Sequence, residues 1–143
     1  MRNTVKWIVL LAGILWAAPT LAADFVVVVN PGVNVTQLTK EDLKRIYQKE
    51  KTQWTGDGTI IPFDQSASSP VRAAFSKDVL GETVAEVQNF WINKKMTGGV
   101  AGPKVFRSPT LVKKFVARTP GAIAYLAPDE VDDTVKVVRV SGL

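Results

Sequence analysis

Residues 60–75 read IIPFDQSASSPVRAAF, and this stretch decides the fold. Ile60 to Phe63 is a short apolar run, Asp64 to Ser69 is a polar turn, and Ser69-Pro70 opens a helix with Arg72 in its first turn. Proline is pre-set for the first helical position, and a serine before it is a natural cap. A strand that delivers a loop and a helix start to one point is the building block of an α/β sheet. The unpartnered N–H groups and partial positive charge of a helix start suit an anion. Two readings therefore stand side by side. In one, serine hydroxyls, backbone N–H groups and a bidentate guanidinium hold an oxyanion. In the other, Ser69 caps the helix, Arg72 is solvated and Asp64 makes a turn.

Working upstream, Phe25 to Val29 is an unbroken β-branched run, as expected of a parallel strand buried on both faces, and Asn30-Pro31-Gly32 ends it. Leu38-Thr39 then opens a helix, with Thr39 as cap, Leu38 and Leu43 as a staple, and Leu43, Ile46 and Tyr47 as its apolar stripe. The cluster Trp54 to Gly58 is a turn, and Thr59 to Phe63 is the second strand, kept short by Pro62. Strand, helix, strand at this spacing predicts a right-handed βαβ unit with parallel strands. Their carboxyl ends would share one sheet edge, the edge at which open α/β folds bind ligands, and would bring Asn30 to Asp64–Ser69.

Working downstream, Val71, Ala74, Phe75 and Val79 face inward from the Pro70 helix, which Gly81 stops. Thr83 and Glu86 form a capping box for a third helix with Val84, Val87, Phe90 and Trp91 as its apolar stripe. Thr97 to Gly102 reads as a flexible loop able to fold over a ligand. Ser108-Pro109 repeats the cap-plus-proline start with Arg107 before it; structural capping is the reading there. Leu111, Val112, Phe115 and Val116 bury that helix. Gly121 to Leu126 is another buried strand, Asp129 to Asp133 an acidic turn without EF-hand spacing, and Val135 to Val140 a final edge strand.

The candidate site is thus Asn30, Asp64, Gln65, Ser66, Ser68, Ser69 and Arg72. Asp64 repels a dianion but can accept a hydrogen bond from a protonated oxyanion. Lys94 and Lys95 favour the C-terminal dipole of the third helix, and Trp91, Phe90 and Tyr125 lie on apolar stretches that read as core.

Composition narrows the function. The chain of 143 residues has neither histidine nor cysteine, which removes histidine triads, thiol chemistry, disulfides and the usual ligands of zinc, copper or haem. No matched pair of carboxylates replaces them, so the chain reads as a non-enzyme without a cofactor or metal. Arg2 and Lys6, the apolar run Trp7 to Trp16 and the small residues to Ala23 have the layout of a signal peptide, with cleavage expected after Ala22. The apolar run is shorter than the roughly 20 residues of a membrane span, the other reading of such a segment. That leaves residues 23–143 as one domain with 16 basic and 13 acidic residues, a net charge of +3. Lys40, Lys44, Lys49 and Lys51 are interspersed with Glu41, Asp42 and Glu50, a solvated face and not the basic patch of a nucleic-acid binder.

Three blocks carry a family likeness: LTKEDLKRIY over residues 38–47 with Trp54 after it, residues 60–75, and TPGAIAY over residues 119–125. Together they resemble the substrate-binding proteins of phosphate ABC transporters, in their short members, with the type 2 periplasmic-binding-protein fold. The resemblance spans nearly all of residues 23–143. It implies a single periplasmic-binding-protein-like lobe, an α/β fold with a mostly parallel sheet flanked by helices. It further implies a periplasmic protein that captures phosphate or a similar oxyanion through Ser66, Ser68, Ser69 and Arg72, with a membrane transporter or receptor as partner. Full-length relatives carry an arginine after the second strand and Ser-Gly-Thr at the helix start, where this chain has Asp64-Gln65 and Ser68-Ser69-Pro70. The alternative is an interaction or sensory module that keeps the lobe, has lost the ligand, and docks a membrane or periplasmic partner.

Overall fold

The computed structural model describes residues 24–56 and 58–143; the expected signal peptide over residues 1–22 lies outside them. One six-stranded sheet organises the chain. Its strands are β1 (Val26–Val29), β2 (Gln37–Thr39), β3 (Ile61–Gln65), β4 (Lys104–Phe106), β5 (Ala122–Leu126) and β6 (Lys136–Ser141). They lie in the order β2-β6-β1-β5-β3-β4. Helices α1 (Lys40–Tyr47), α2 (Pro70–Phe75), α3 (Val84–Gly98) and α4 (Pro109–Arg118) connect them. Past α2 the chain continues in wider, π-helical turns through Ser76–Leu80, ended by left-handed Gly81.

The sheet is mostly parallel, as expected, with one reversal. β2 pairs parallel with β6, and β3 pairs parallel with β4 and β5, whereas β1 runs antiparallel to both its neighbours, β5 and β6. The predicted parallel β1–β3 unit is therefore corrected: β5 lies between the two strands, and they run in opposite directions. A valine run reports burial on both faces and carries no information about direction. β3 also starts and ends two residues later than expected, placing Asp64 and Gln65 in the strand. Pro62 is tolerated because β4 joins only from Phe63, so Pro62 sits where the ladder is incomplete. β6 is no edge strand either, since the three-residue β2, too short to show a period, covers it.

Period-two alternation divides the core between the two faces. Val27 and Val29 of β1 with Ile123 and Tyr125 of β5 pack against Leu43, Ile46 and Tyr47 of α1 and Phe75. Val28, Ala122, Ala124 and Leu126 pack against Val112 and Val116 of α4 on the other face. Thr39 caps α1 by accepting from the Asp42 N–H at 3.0 Å, as predicted. Gly121 enters β5 with φ +80, and a Cβ there would lie 2.1 Å from the Thr59 carbonyl oxygen, so this turn requires glycine. Trp54 bonds the same residue, donating from Nε1 to the Gly121 carbonyl at 3.0 Å.

α3 departs from expectation. Val87 alone is buried, Phe90 and Trp91 are half-buried, and the helix runs on through Thr97 and Gly98. The chain then folds back so closely that a Cβ on Gly102 would lie 2.8 Å from Trp91 Cγ. On α4, Val112 and Val116 are buried as expected, but Leu111 and Phe115 remain 38% and 39% exposed.

Candidate functional site

β3 and its parallel neighbours β4 and β5 end at one edge of the sheet. The carboxyl end of β3 leads through Ser66–Ser69 into α2, and that of β4 leads through Arg107-Ser108 into α4. Both helix starts are capped alike. Ser69 Oγ accepts from the Arg72 N–H at 3.2 Å, and Ser108 Oγ accepts from the Leu111 N–H at 3.3 Å. Between them lies a cleft of about 240 Å³, walled by Ser66, Ser68 and Ser69 on one side and Arg107 and Ser108 on the other, with Glu130 at its border. The Ser66 and Ser68 hydroxyls approach to 3.1 Å, and the backbone turn is closed by the Ser69 N–H on the Ser66 carbonyl at 2.9 Å. Arg107 is exposed.

Asp64, Gln65 and Arg72 do something different. All three are buried, at 6%, 4% and 5% exposure. Asp64 Oδ1 accepts from the Tyr125 hydroxyl and from the Gln65 N–H at 2.8 Å. Arg72 Nη1 donates to the Gln65 carbonyl at 2.8 Å, and Arg72 Nε lies 3.5 Å from Asp64 Oδ1, within ion-pair range but too poorly aligned to count as a hydrogen bond. Gln65 ties the set to its surroundings: its Nε2 donates to the Tyr125 carbonyl at 2.7 Å, and its Oε1 accepts from Ser69 Oγ at 2.8 Å. Burial, and secondarily the Asp64 charge, push the Tyr125 hydroxyl far above its ordinary pKa, so it is a permanent donor to the carboxylate. Tyr47, raised for the same two reasons, donates to the Phe63 carbonyl at 2.8 Å. The carboxylate is thus held by one hydroxyl, one backbone N–H and a guanidinium, which is how a buried charge is compensated.

The expected site is therefore divided. Ser66, Ser68 and Ser69 stand together on the cleft. Arg72 lines instead an open groove of about 490 Å³ under α3, where it is committed to Asp64 and Gln65. Asn30 is at the opposite sheet edge, because β1 is reversed. Its Nδ2 donates to the Val116 and Ala117 carbonyls at 2.9 and 3.2 Å, satisfying the end of α4, and it borders a separate cavity of about 410 Å³ with Trp54 and Gly121. Arg107 and Ser108, read from sequence as a structural start, are the residues that share the cleft. Their signal was present in the repeated Ser-Pro start. What was missing was the three-residue β4, too short for periodicity to reveal, which sets that start beside the first. The acidic turn is structural as well: Asp132 pairs with Lys113 at 2.8 Å, and bonds from Lys113 and Thr134 lower its pKa to about 2. Among the described residues no cluster of histidine, cysteine, aspartate and glutamate could hold a metal ion.

A family model described as a PBP superfamily domain matches residues 9–141. The phosphate-binding protein PstS of Bacillus subtilis (strain 168) is 32% identical over 121 residues, covering 80% of this chain and 35% of PstS. An ABC-type phosphate transport receptor from Vibrio cholerae superposes with a TM-score of 0.67 at 25% identity, over 83% of this chain and 46% of the receptor. A proposed phosphate ABC transporter substrate-binding protein from Clostridium perfringens, solved with bound phosphate, gives a TM-score of 0.68 at 24% identity, over 83% and 45%; at that identity it bears on the fold alone. The chain thus spans between about a third and a half of the length of these relatives.

Proposed function

The chain belongs to the PBP superfamily, and on that premise we propose that it is a solute-binding lobe that takes phosphate or a similar oxyanion in the cleft between Ser66–Ser69 and Arg107-Ser108. The observation that carries this reading is the meeting of two serine-capped helix starts and an exposed guanidinium at the carboxyl edge of parallel strands, where α/β sheets bind ligands. Ser66 and Ser68 offer hydroxyl donors, and Arg107 offers a charge-assisted fork. Arg72 acts from behind, holding the Gln65 carbonyl and Asp64 so that the serine loop keeps its shape. The cleft is open to water, which weakens each charge contact, so affinity is modest.

The lobe works outside the cytoplasm, exported by a signal peptide over residues 1–22, and passes its ligand to a membrane transporter. The intact mass of the exported protein tests the first part, with a chain beginning at Ala23 as the expected result. Titration calorimetry with phosphate and sulfate tests the binding. Heat is expected with at least one anion and is lost in Arg107→Ala; silence from the unaltered protein with both anions overturns the proposal.

One observation favours a second reading. The buried arginine is occupied by Asp64 and does not face the serines. A lobe that has lost its ligand and docks a partner would show no anion heat while keeping the same fold.

A further inference from the structure

α4 carries its charges unevenly. Val112 and Val116 form the seam that it buries against the sheet, and the two flanks of that seam differ in kind. On one flank Lys113 is held by the chain after β5, with its Nζ 2.8 Å from an Asp132 carboxylate oxygen and 3.2 Å from the Glu130 carbonyl. On the other, helical spacing sets Phe115, Leu111, Arg118 and Lys114 side by side, rising from the flank to the outward crest of the helix. All four are exposed, Leu111 at 38% and Phe115 at 39%.

Edge strand β4 extends this surface. Phe115 stacks on Phe106 with ring centroids 4.7 Å apart, and exposed Lys104 covers both rings, its Nζ 5.3 Å and 5.5 Å from their centroids. Lys104, Lys114 and Arg118 thus flank two apolar side chains. None of the three joins an ion pair among the described residues, where the paired cations are Arg45, Lys51, Arg72 and Lys113. Cations without a counter-charge call for an anionic partner, and exposed leucine and phenylalanine call for one with an apolar layer beneath its charge. A bilayer of anionic phospholipid has both. Two side chains less than half exposed are too few for the core of a stable protein interface, which covers about 800 Å² per partner. At an anionic membrane surface, by contrast, each lysine or arginine strengthens binding about fivefold.

We infer that this flank of α4, with β4 beside it, is a membrane-contact surface. It lays the helix along an anionic bilayer, with Lys104, Lys114 and Arg118 at the headgroups and Leu111 and Phe115 at the boundary between headgroups and acyl chains. None of these five residues lines the anion cleft, so the inference stands whether or not an anion binds there.

Co-sedimentation of the exported protein with phospholipid vesicles at low salt is the test. Binding is expected to vesicles of equal parts phosphatidylglycerol and phosphatidylcholine, at least ~10-fold weaker binding to phosphatidylcholine alone, and a decline as salt is raised. Lys114→Glu with Arg118→Glu should weaken binding at least ~10-fold, and Leu111→Ser about 3-fold, each with an unchanged circular-dichroism spectrum because the side chains are exposed. Lys94→Glu with Lys95→Glu makes the same change of charge on α3, at the other face of the sheet, and should weaken binding less than ~2-fold. Four results overturn the inference: no binding to the mixed vesicles, which would assign the cations to an acidic protein; equal binding to both lipids; an equal loss in the α3 variant; or a Leu111→Ser protein that binds as well as the unaltered one.

Discussion

The starts of α2 and α4 are written in nearly the same residues and do opposite jobs. Each has a serine cap, a proline at the first helical position and an arginine within three residues. Yet Arg72 is 5% exposed and bound to Asp64 and Gln65, whereas Arg107 is exposed beside the cleft. The difference lies in the strand that feeds each helix. β3 is an inner strand whose end carries Asp64 and Gln65 into the core, so an arginine one helical turn into α2 meets a buried carboxylate. β4 is an edge strand of three residues, and the arginine that follows it meets solvent. A capped helix start thus fixes the backbone, while the neighbouring strand decides whether its cation serves the core or a ligand.

The largest effect that would break this contrast is on stability. Arg72→Ala strands a buried carboxylate and should cost about 3–5 kcal/mol in urea unfolding, whereas Arg107→Ala should stay within about 0.5 kcal/mol. Equal costs would mean that the two starts are not different in kind. Replacing both charges together with the hydroxyl that bonds them, Asp64→Leu with Arg72→Met and Tyr125→Phe, should recover most of the loss, because a buried pair is often no better than an apolar pair of similar volume once no buried donor is left unpaired. Next in size, Tyr125→Phe removes the hydroxyl donor to Asp64 and should cost roughly 1–3 kcal/mol by the same measurement. The caps should differ less. Ser108→Ala should cost about 1 kcal/mol and Ser69→Ala somewhat more, because Ser69 also donates to Gln65. A Ser69→Ala loss no greater than that of Ser108→Ala would show that the Gln65 bond adds nothing.

The smallest effect concerns acid. The Asp132 pKa is lowered in the folded state to about 2, chiefly by Lys113 and then Thr134. A carboxylate depressed on folding stabilises the protein above its unfolded pKa, and that contribution fades as pH falls toward 2. Asp132→Asn should therefore lower stability slightly at neutral pH, by an amount that shrinks as pH falls from about 4 and is gone at about pH 2. A change at pH 7 equal to that at pH 2 would exclude titration as the cause.

Much of the fold was legible because periodicity and caps act locally. The α1 stripe, the Thr83–Glu86 capping box, the buried Gly121–Leu126 strand and both serine caps stand where the sequence placed them. The misreadings have one origin. A run of valines does not encode strand direction, and three-residue strands such as β2 and β4 have no period to detect. Reversing β1 took Asn30 out of the candidate site, and overlooking β4 kept Arg107 and Ser108 from joining it.

By itself, then, the sequence determined an α/β lobe, its core residues, its helix caps and a serine-rich loop poised at a helix start, all set by contacts within a few residues. The tertiary structure alone decided which arginine faces that loop. Sheet order and strand direction are long-range pairings, and they brought Asp64 to Arg72, Arg107 to Ser66 and Ser68, and left α3 with an uncovered face. Burial in turn made Arg72 a structural ion, because a carboxylate inside the core requires its partner more than a ligand in water does.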